Sequence, residues 1–188
     1  VCDHTGRTLL TADDICVDRP RGTMWVEEIR IEKPDFRRSG LGKIFLANLI
    51  ETAREMGLLR LSLRAGREDG AYFWSRRGFR LDDDPLAAPE RRQSKIFREN
   101  IEKALGELKD SSLTAAFAQA VRGALDTQGT RANCVISRIP GAGDDGHPLA
   151  AQVLGRATSF LAYIDLNDPD HMAEVKASLA VAPFAAPV

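Results

Sequence analysis

The sequence predicts an α/β chain of the α+β layered kind, in which a mixed central sheet carries flanking helices and a helical C-terminal extension follows. Three observations predict it. Between residues 24 and 63 the hydrophobic period changes from strand to helix and back to strand. A basic, glycine-bearing turn, Arg37-Arg38-Ser39-Gly40-Leu41-Gly42, joins the first of these strands to the helix. Beyond the acidic run Asp82-Asp83-Asp84 and Pro85 the composition becomes alanine-rich with helical spacing.

Residues 24–31 alternate Met24, Val26 and Glu28 against Trp25, Glu27, Ile29 and Ile31, with one irregular step that suits a bulged strand. From Leu41 the spacing becomes helical, with Leu41, Phe45, Leu49, Ala53 and Met56 on one face and Gly57 as the stop. Leu59, Leu61 and Leu63 then alternate with Arg60, Ser62 and Arg64 as a second strand, and a parallel βαβ crossover joins the two. A short aromatic helix over residues 68–77, ended by Gly78, leads into Phe79-Arg80-Leu81 as a third strand. The break at 84/85 divides a core, residues 1–84, from a mostly helical extension, residues 85–188. In the extension, Ile96 or Phe97 with Ile101, Leu105 and Leu108 give one amphipathic helix, and Leu113, Phe117, Ala120, Val121 and Leu125 give another. The two read as a helical hairpin. Residues 133–139 are the candidate late strand, 141–146 a flexible loop, and 149–163 a buried helix.

At 188 residues the chain holds one good-sized domain, or a compact domain with a helical appendage. Lys and Arg number 26 against 27 Asp and Glu, and the net charge of −1 gives no electrostatic reason to expect nucleic acid or a membrane as partner. Cys2, Cys16 and Cys134 are odd in number and lack Cys-x-x-Cys spacing, which argues against a disulfide framework and a structural zinc site, and for a reducing cytoplasm. His4, His147 and His171 are scattered without metal spacing and read as surface groups, so no metal is expected. Asp165-Leu166-Asn167-Asp168-Pro169-Asp170 lacks the central glycine and distal glutamate of a calcium loop, and reads as a turn with helix caps. No apolar run has membrane-spanning length and no signal segment opens the chain. The first residue is Val rather than Met, which points to a larger parent chain; a homo-oligomer is left open.

The turn at 37–42 has the chemistry of a diphosphate cradle. The N–H groups of a helix's first turn have no internal partner and point at an anion along the positive end of the dipole. Glycines at 40 and 42 let phosphate oxygens approach the backbone, and Arg37 and Arg38 add charged donors. The Walker pattern fails, because Arg37 stands where its first glycine belongs and Ile44 where its Ser or Thr belongs. The dinucleotide fingerprint fails too, with Phe45 in place of the third glycine.

What remains, Arg-x-x-Gly-x-Gly, resembles the motif with which the acetyl-CoA-dependent N-acetyltransferase superfamily, GNAT, holds the pyrophosphate of coenzyme A. Pro34-Asp35-Phe36 resembles the family's lead-in and Gly78-Phe79 its second block, so the resemblance covers about residues 24–82. It implies a GNAT-type sheet, acetyl-CoA as cosubstrate, and coenzyme contacts from Ile29, Ile31, Arg37, Arg38, Ser39, Gly40, Leu41, Gly42, Lys43 and Trp74. It also implies a strand after Gly78-Phe79, for which 133–139 is the candidate, with 86–131 as an insertion. In the family the elements before the cradle strand shape the amine pocket. Only about two dozen residues precede it here, so the front is incomplete and the acceptor is a small-molecule or protein amine of unspecified identity.

The resemblance implies direct transfer from thioester to amine, with no covalent enzyme intermediate. An alkyl ammonium must lose a proton before it can attack, and the family's acceptor often sits on the strand before the cradle, where Glu28 and Glu27 lie. Strand alternation sends the two to opposite faces, so one should face the cleft. Many relatives return a proton to the thiolate from a tyrosine four positions before the Gly of Gly-Phe. This chain has Trp74 there, whose indole is no acid, and Tyr72 lies elsewhere on the turn. Two alternatives stand beside the enzyme: a weak or inactive GNAT-like module that binds coenzyme A and meets a protein partner through its helices, and a nucleotide-phosphate binder outside the family.

Overall fold

The computed structural model describes residues 8, 10–31, 40–66, 69–83, 92–108, 112–143, 146–156 and 159–180. The strands among them are β1 (Leu10–Asp18), β2 (Thr23–Ile31), β3 (Arg60–Ala65), β4 (Arg80–Leu81) and β5 (Phe160–Asp165). The helices are α1 (Leu41–Glu55), α2 (Asp69–Arg76), α3 (Gln93–Gly106), α4 (Ser112–Thr127), α5 (Ala132–Ile136), α6 (Leu149–Arg156) and α7 (Pro169–Leu179). The strands form one mixed five-stranded sheet in the order β1-β2-β3-β5-β4, so the fold is α/β. By packing the chain divides into one unit of Val1–Leu63 with Ile164–Val188 and another of Arg64–Tyr163. The composition shift at 84/85 falls where residue 84 lies outside the described residues. No helix among the described residues is long and apolar enough to cross a membrane.

In the first unit, β1 and β2 form an antiparallel hairpin that the sequence reading does not contain, since it starts the sheet at residue 24. The pairing keeps one register from Leu10↔Ile31 to Asp18↔Thr23, so no residue is inserted and the expected bulge in β2 is absent. The irregularity lies on the other strand, at Asp14, whose φ is +50. Gly22 closes the hairpin with φ +61, and its carbonyl accepts from the N–H groups of Leu59 (2.7 Å) and Arg60 (3.1 Å). A Cβ at Gly22 would lie 2.8 Å from Leu59 Cγ, so backbone angle and space both demand glycine there.

The expected parallel crossover is present: α1 connects β2 to β3, and Thr23–Val26 pair with Arg60–Leu63. Helix α1 buries Gly42, Leu46, Leu49, Ile50 and Ala53. That stripe lies one residue round from the expected one, because Ile44, Phe45 and Leu46 are consecutive apolar residues and spacing alone does not choose among them. The helix stops at Gly57 as expected, with Leu58 N–H donating to Ala53 O and Gly57 N–H to Arg54 O, both at 2.9 Å.

The turn before α7 is held by carboxylates, as the helix-cap reading expects. Asp168 accepts from the N–H groups of Asp170 (3.0 Å) and His171 (2.9 Å), and Asp165 from that of Asn167 (2.9 Å). Replacing Asp168 by Ala is expected to cost about 1 kcal/mol, read as a lowered denaturation midpoint at unchanged m-value. His171 corrects the surface reading: it is fully buried, and its Nδ1 accepts the N–H of Asp165 at 3.2 Å, so it carries its proton on Nε2 when neutral. His147 is exposed, and His4 lies outside the described residues.

The second unit packs Phe79, Phe97, Ile101, Val121, Ile136, Val153 and Phe160 into its core. Helices α3 and α4 fall where the two amphipathic spacings expect them. Residues 133–139 are not a strand. They fall in and just after α5, where the buried Asn133 donates from Nδ2 to Phe79 O (2.7 Å) and Ser75 Oγ (3.1 Å). A strand instead forms at β5, whose residues 160–163 were expected to end a buried helix. Its residues alternate buried Phe160, Ala162 and Ile164 with half-buried Leu161, Tyr163 and Asp165, and Arg80↔Tyr163 and Leu81↔Ala162 pair it antiparallel with β4.

Candidate functional site

Strand β2 carries the candidate bases. Met24 and Val26 are buried at 2 % and 1 % exposure, and alternation puts Trp25 and Glu27 on the opposite face. There the indole Nε1–H of Trp25 donates to Glu27 Oε2 at 2.9 Å in a part-buried hydrogen bond. Ile29 is half-buried and pairs with Ala12. Glu28 and Ile31 pair through their backbones with Asp13 and Leu10, and their side chains lie outside the described residues.

The parallel ladder between β2 and β3 ends at Val26↔Leu63, whereas the ladder between β2 and β1 continues to Ile31. Glu27 is therefore the first residue past the end of the parallel ladder. Trp25, paired with Cys16 on one side and Ser62 on the other, lies wholly within the sheet.

Arg37, Arg38 and Ser39 lie outside the described residues. From Gly40 onward the turn is described. Gly40 caps α1 with φ +85, and its carbonyl accepts from Lys43 N–H (2.9 Å) and Ile44 N–H (3.2 Å). A Cβ at Gly40 would meet no atom of the described residues within 4 Å beyond its chain neighbours, while the backbone angle favours glycine. Leu41 is half-buried and Gly42 buried. Among the described residues no side chain caps α1 and no acidic residue lies in its first turn. Lys43 is half-buried, and its Nζ lies 3.5 Å from the carbonyl of Ala180, just past the end of α7. The first unit thus holds Glu27, Ile29 and the start of α1.

Trp74 belongs to the second unit. It is 7 % exposed, with its ring edge-on to Phe73 (4.7 Å) and Phe79 (5.3 Å). At the end of the same helix Arg76 lies over Tyr72 at 5.9 Å and Arg77 over Phe73 at 4.8 Å. Burial, and then the neighbouring Arg76 cation, lower the pKa of Arg77, whose Nε is buried without a hydrogen-bond partner. This unit also has a cavity of about 320 Å³ floored by Leu81, Phe97, Leu125 and Ala132. Two of its polar lining residues are engaged: Ser94 Oγ donates to Asp83 at 2.6 Å and Arg98 to Asp126 at 2.7 Å. No group of three or more His, Cys, Asp or Glu placed to hold a metal occurs among the described residues.

Trp25 is the residue that sequence reasoning passes over as part of the site. The signal is its spacing, since an indole two residues from a carboxylate on one strand shares its face. Comparison with family models, with curated proteins and with solved structures returns no match for this chain.

Proposed function

We propose that this chain is the coenzyme-binding part of a GNAT-type N-acetyltransferase, which moves an acetyl group from acetyl-CoA directly to an amine. The observation that carries the reading is the end of the β2–β3 ladder at Val26↔Leu63, on a strand followed by a 15-residue helix entered through left-handed Gly40. Beyond Val26 the edge of β2 leaves the parallel ladder, and an extended, amide-bearing chain such as the pantetheine arm can hydrogen-bond along such a strand edge. The start of α1, entered through Gly40, suits the diphosphate that follows it. In this reading β5 is the strand expected after Gly78-Phe79, and the helices between β4 and β5 are the insertion.

The chemistry asks little of the protein. Glu27 takes the proton of the bound ammonium, directly or through water, and the free amine attacks the thioester carbonyl. The C–N bond forms, the ammonium of the tetrahedral adduct gives its proton to water, the oxyanion collapses, the C–S bond breaks, the thiolate takes a proton from water, and Glu27 releases its own proton to solvent before the next turnover. Thiolate is a good leaving group, so a tyrosine at position 74 is dispensable to this scheme. The burial of Trp74 favours a second reading, a module that binds coenzyme A and contacts a protein partner without transfer.

Acetyl-CoA at a hundredfold excess over its Kd is expected to stabilise the chain by about 2.7 kcal/mol, roughly 5 to 10 °C in Tm at this size, with ATP doing much less. Coenzyme A alone should act like acetyl-CoA. Equal shifts from all three ligands, or none from acetyl-CoA, would remove the family reading. A shift without turnover on any amine would select the second reading.

A further inference from the structure

We propose that the outward side of α2 is an anion site in its own right, where Arg76 and Arg77 take a compact phosphoryl dianion, either inorganic phosphate or a small phosphomonoester. The helix turns Ala71, Trp74 and Ser75 inward, all buried, and leaves Tyr72, Phe73, Arg76 and Arg77 on its other side. Spacing of i, i+4 then lays each arginine on a ring, Arg76 over Tyr72 at 5.9 Å and Arg77 over Phe73 at 4.8 Å. The turn continues past the end of α2, with Arg77 N–H donating to Trp74 O at 3.0 Å and Gly78 N–H to Ser75 O at 3.2 Å. Rings and backbone together hold both guanidinium groups in place.

Among the described residues neither arginine has a carboxylate partner. Arg76 is exposed and spends an Nη1 bond on the carbonyl of Ser137 at 3.3 Å. Arg77 is half-buried; its Nε is enclosed without an acceptor, and its Nη groups have no bond among the described residues. Burial, and then the Arg76 cation beside it, both work against the charge on Arg77. The negative end of the eight-residue α2 offers about half a unit charge against two whole ones. An anion shared by the pair removes the repulsion and fills the open donors at once.

The charge count selects the ligand. One carboxylate would balance one guanidinium, whereas a phosphoryl group carries about −1.5 to −2 charges and three acceptor oxygens in the same small space. Guanidinium forks match phosphate oxygens in pairs, and a fork already stacked on a ring loses little freedom when it binds.

Inorganic phosphate titrated into the whole chain at low ionic strength is expected to give saturable binding by calorimetry, with Kd of about 1 mM or below. Arg77→Gln and Arg76→Gln should each weaken it at least about tenfold, while Arg38→Ala, in the turn before α1, should leave it unchanged. Glycerol phosphate should bind more tightly as pH rises through about 6, where its second proton leaves, and sulfate, a dianion throughout, should not change. Tighter binding of the ester than of phosphate would assign the site to esters, and the reverse to the free ion, both in support. No saturable binding by wild type overturns the proposal. So does a loss in Arg38→Ala as large as in Arg77→Gln, which would place phosphate at the start of α1, and so does displacement of phosphate by micromolar glutamate-rich peptide, which would make the surface an acidic-peptide contact. If Arg77→Gln does not fold, Arg76→Gln decides alone, since its side chain is exposed and unchanged binding there overturns the site.

Discussion

Acetyl-CoA binding is expected to disappear when Gly42 is replaced by valine, with calorimetry detecting no heat of binding from a chain that still unfolds cooperatively. Gly42 is buried in the first turn of α1, where the backbone is helical and accepts any L residue without strain. Because Gly42 lies on the buried stripe with Leu46 and Leu49, the loss reports methyl groups standing where phosphate oxygens meet the N–H groups only if the variant also keeps the wild-type denaturation midpoint, which excludes overpacking. Gly40→Val should fail by a different route. A Cβ there meets nothing, but φ +85 is a conformation that β-branched residues resist, at roughly 1–2 kcal/mol for the left-handed region. The turn would re-form and the N–H groups would lose their aim. Arg38→Ala, by contrast, removes one charged contact, about 1.5 to 3 kcal/mol or roughly ten- to over a hundredfold in affinity. Full binding by the Gly42→Val variant would refute the cradle whatever the arginine does.

The segment around this turn was the most legible part of the chain. Within forty residues the apolar period runs from two to 3.6 and back to two, and β2, α1 and β3 follow it. The hairpin partner β1 was invisible for a physical reason. Residues Asp13–Asp18 are exposed throughout, so no buried face imprints an alternation on LTADDICVD. Periodicity records burial, and an edge strand with little burial leaves little record. The second unit failed differently. Val135, Ile136 and Ile139 look like strand formers, but Asn133 spends its donors on Ser75 and Phe79, and these tertiary partners settle α5. The run from Leu149 is apolar on both sides of the real break, and a buried helix and a buried strand look alike over such a stretch. Its place between β3 and β4 in the sheet makes Phe160–Asp165 a strand.

At the site itself, the glycines were readable because their chemistry is positional. His171 was not, since a lone histidine among aspartates looks solvated; what buries it is the backbone N–H of Asp165, which needs an acceptor. Alternation divides Glu27 from Glu28 between faces without saying which face matters, and a suspected bulge in β2 blurred even that division. The register of β1 with β2, the same on either side of Asp14, removes the bulge from β2, and the indole bond of Trp25 distinguishes one glutamate from its neighbour.

That distinction sets the last expected result. Glu27→Gln should lower turnover on the order of 10²- to 10⁴-fold, the contribution of a positioned base, while leaving acetyl-CoA affinity nearly unchanged. Glu28→Gln should fall far short of this, because one strand cannot aim successive side chains at the same substrate. The amide keeps the size of the carboxylate and can still accept from the Trp25 indole, so the fold is spared and the loss reports proton transfer alone. As pH rises the acceptor arrives already deprotonated and the Glu27→Gln deficit should close; a deficit constant across pH would mean that Glu27 orients substrate rather than taking its proton. Single-turnover rates across pH for both variants separate these cases. If Glu28→Gln carries the pH-dependent loss instead, the base lies on the other face of β2, and the indole bond of Trp25 has no part in catalysis.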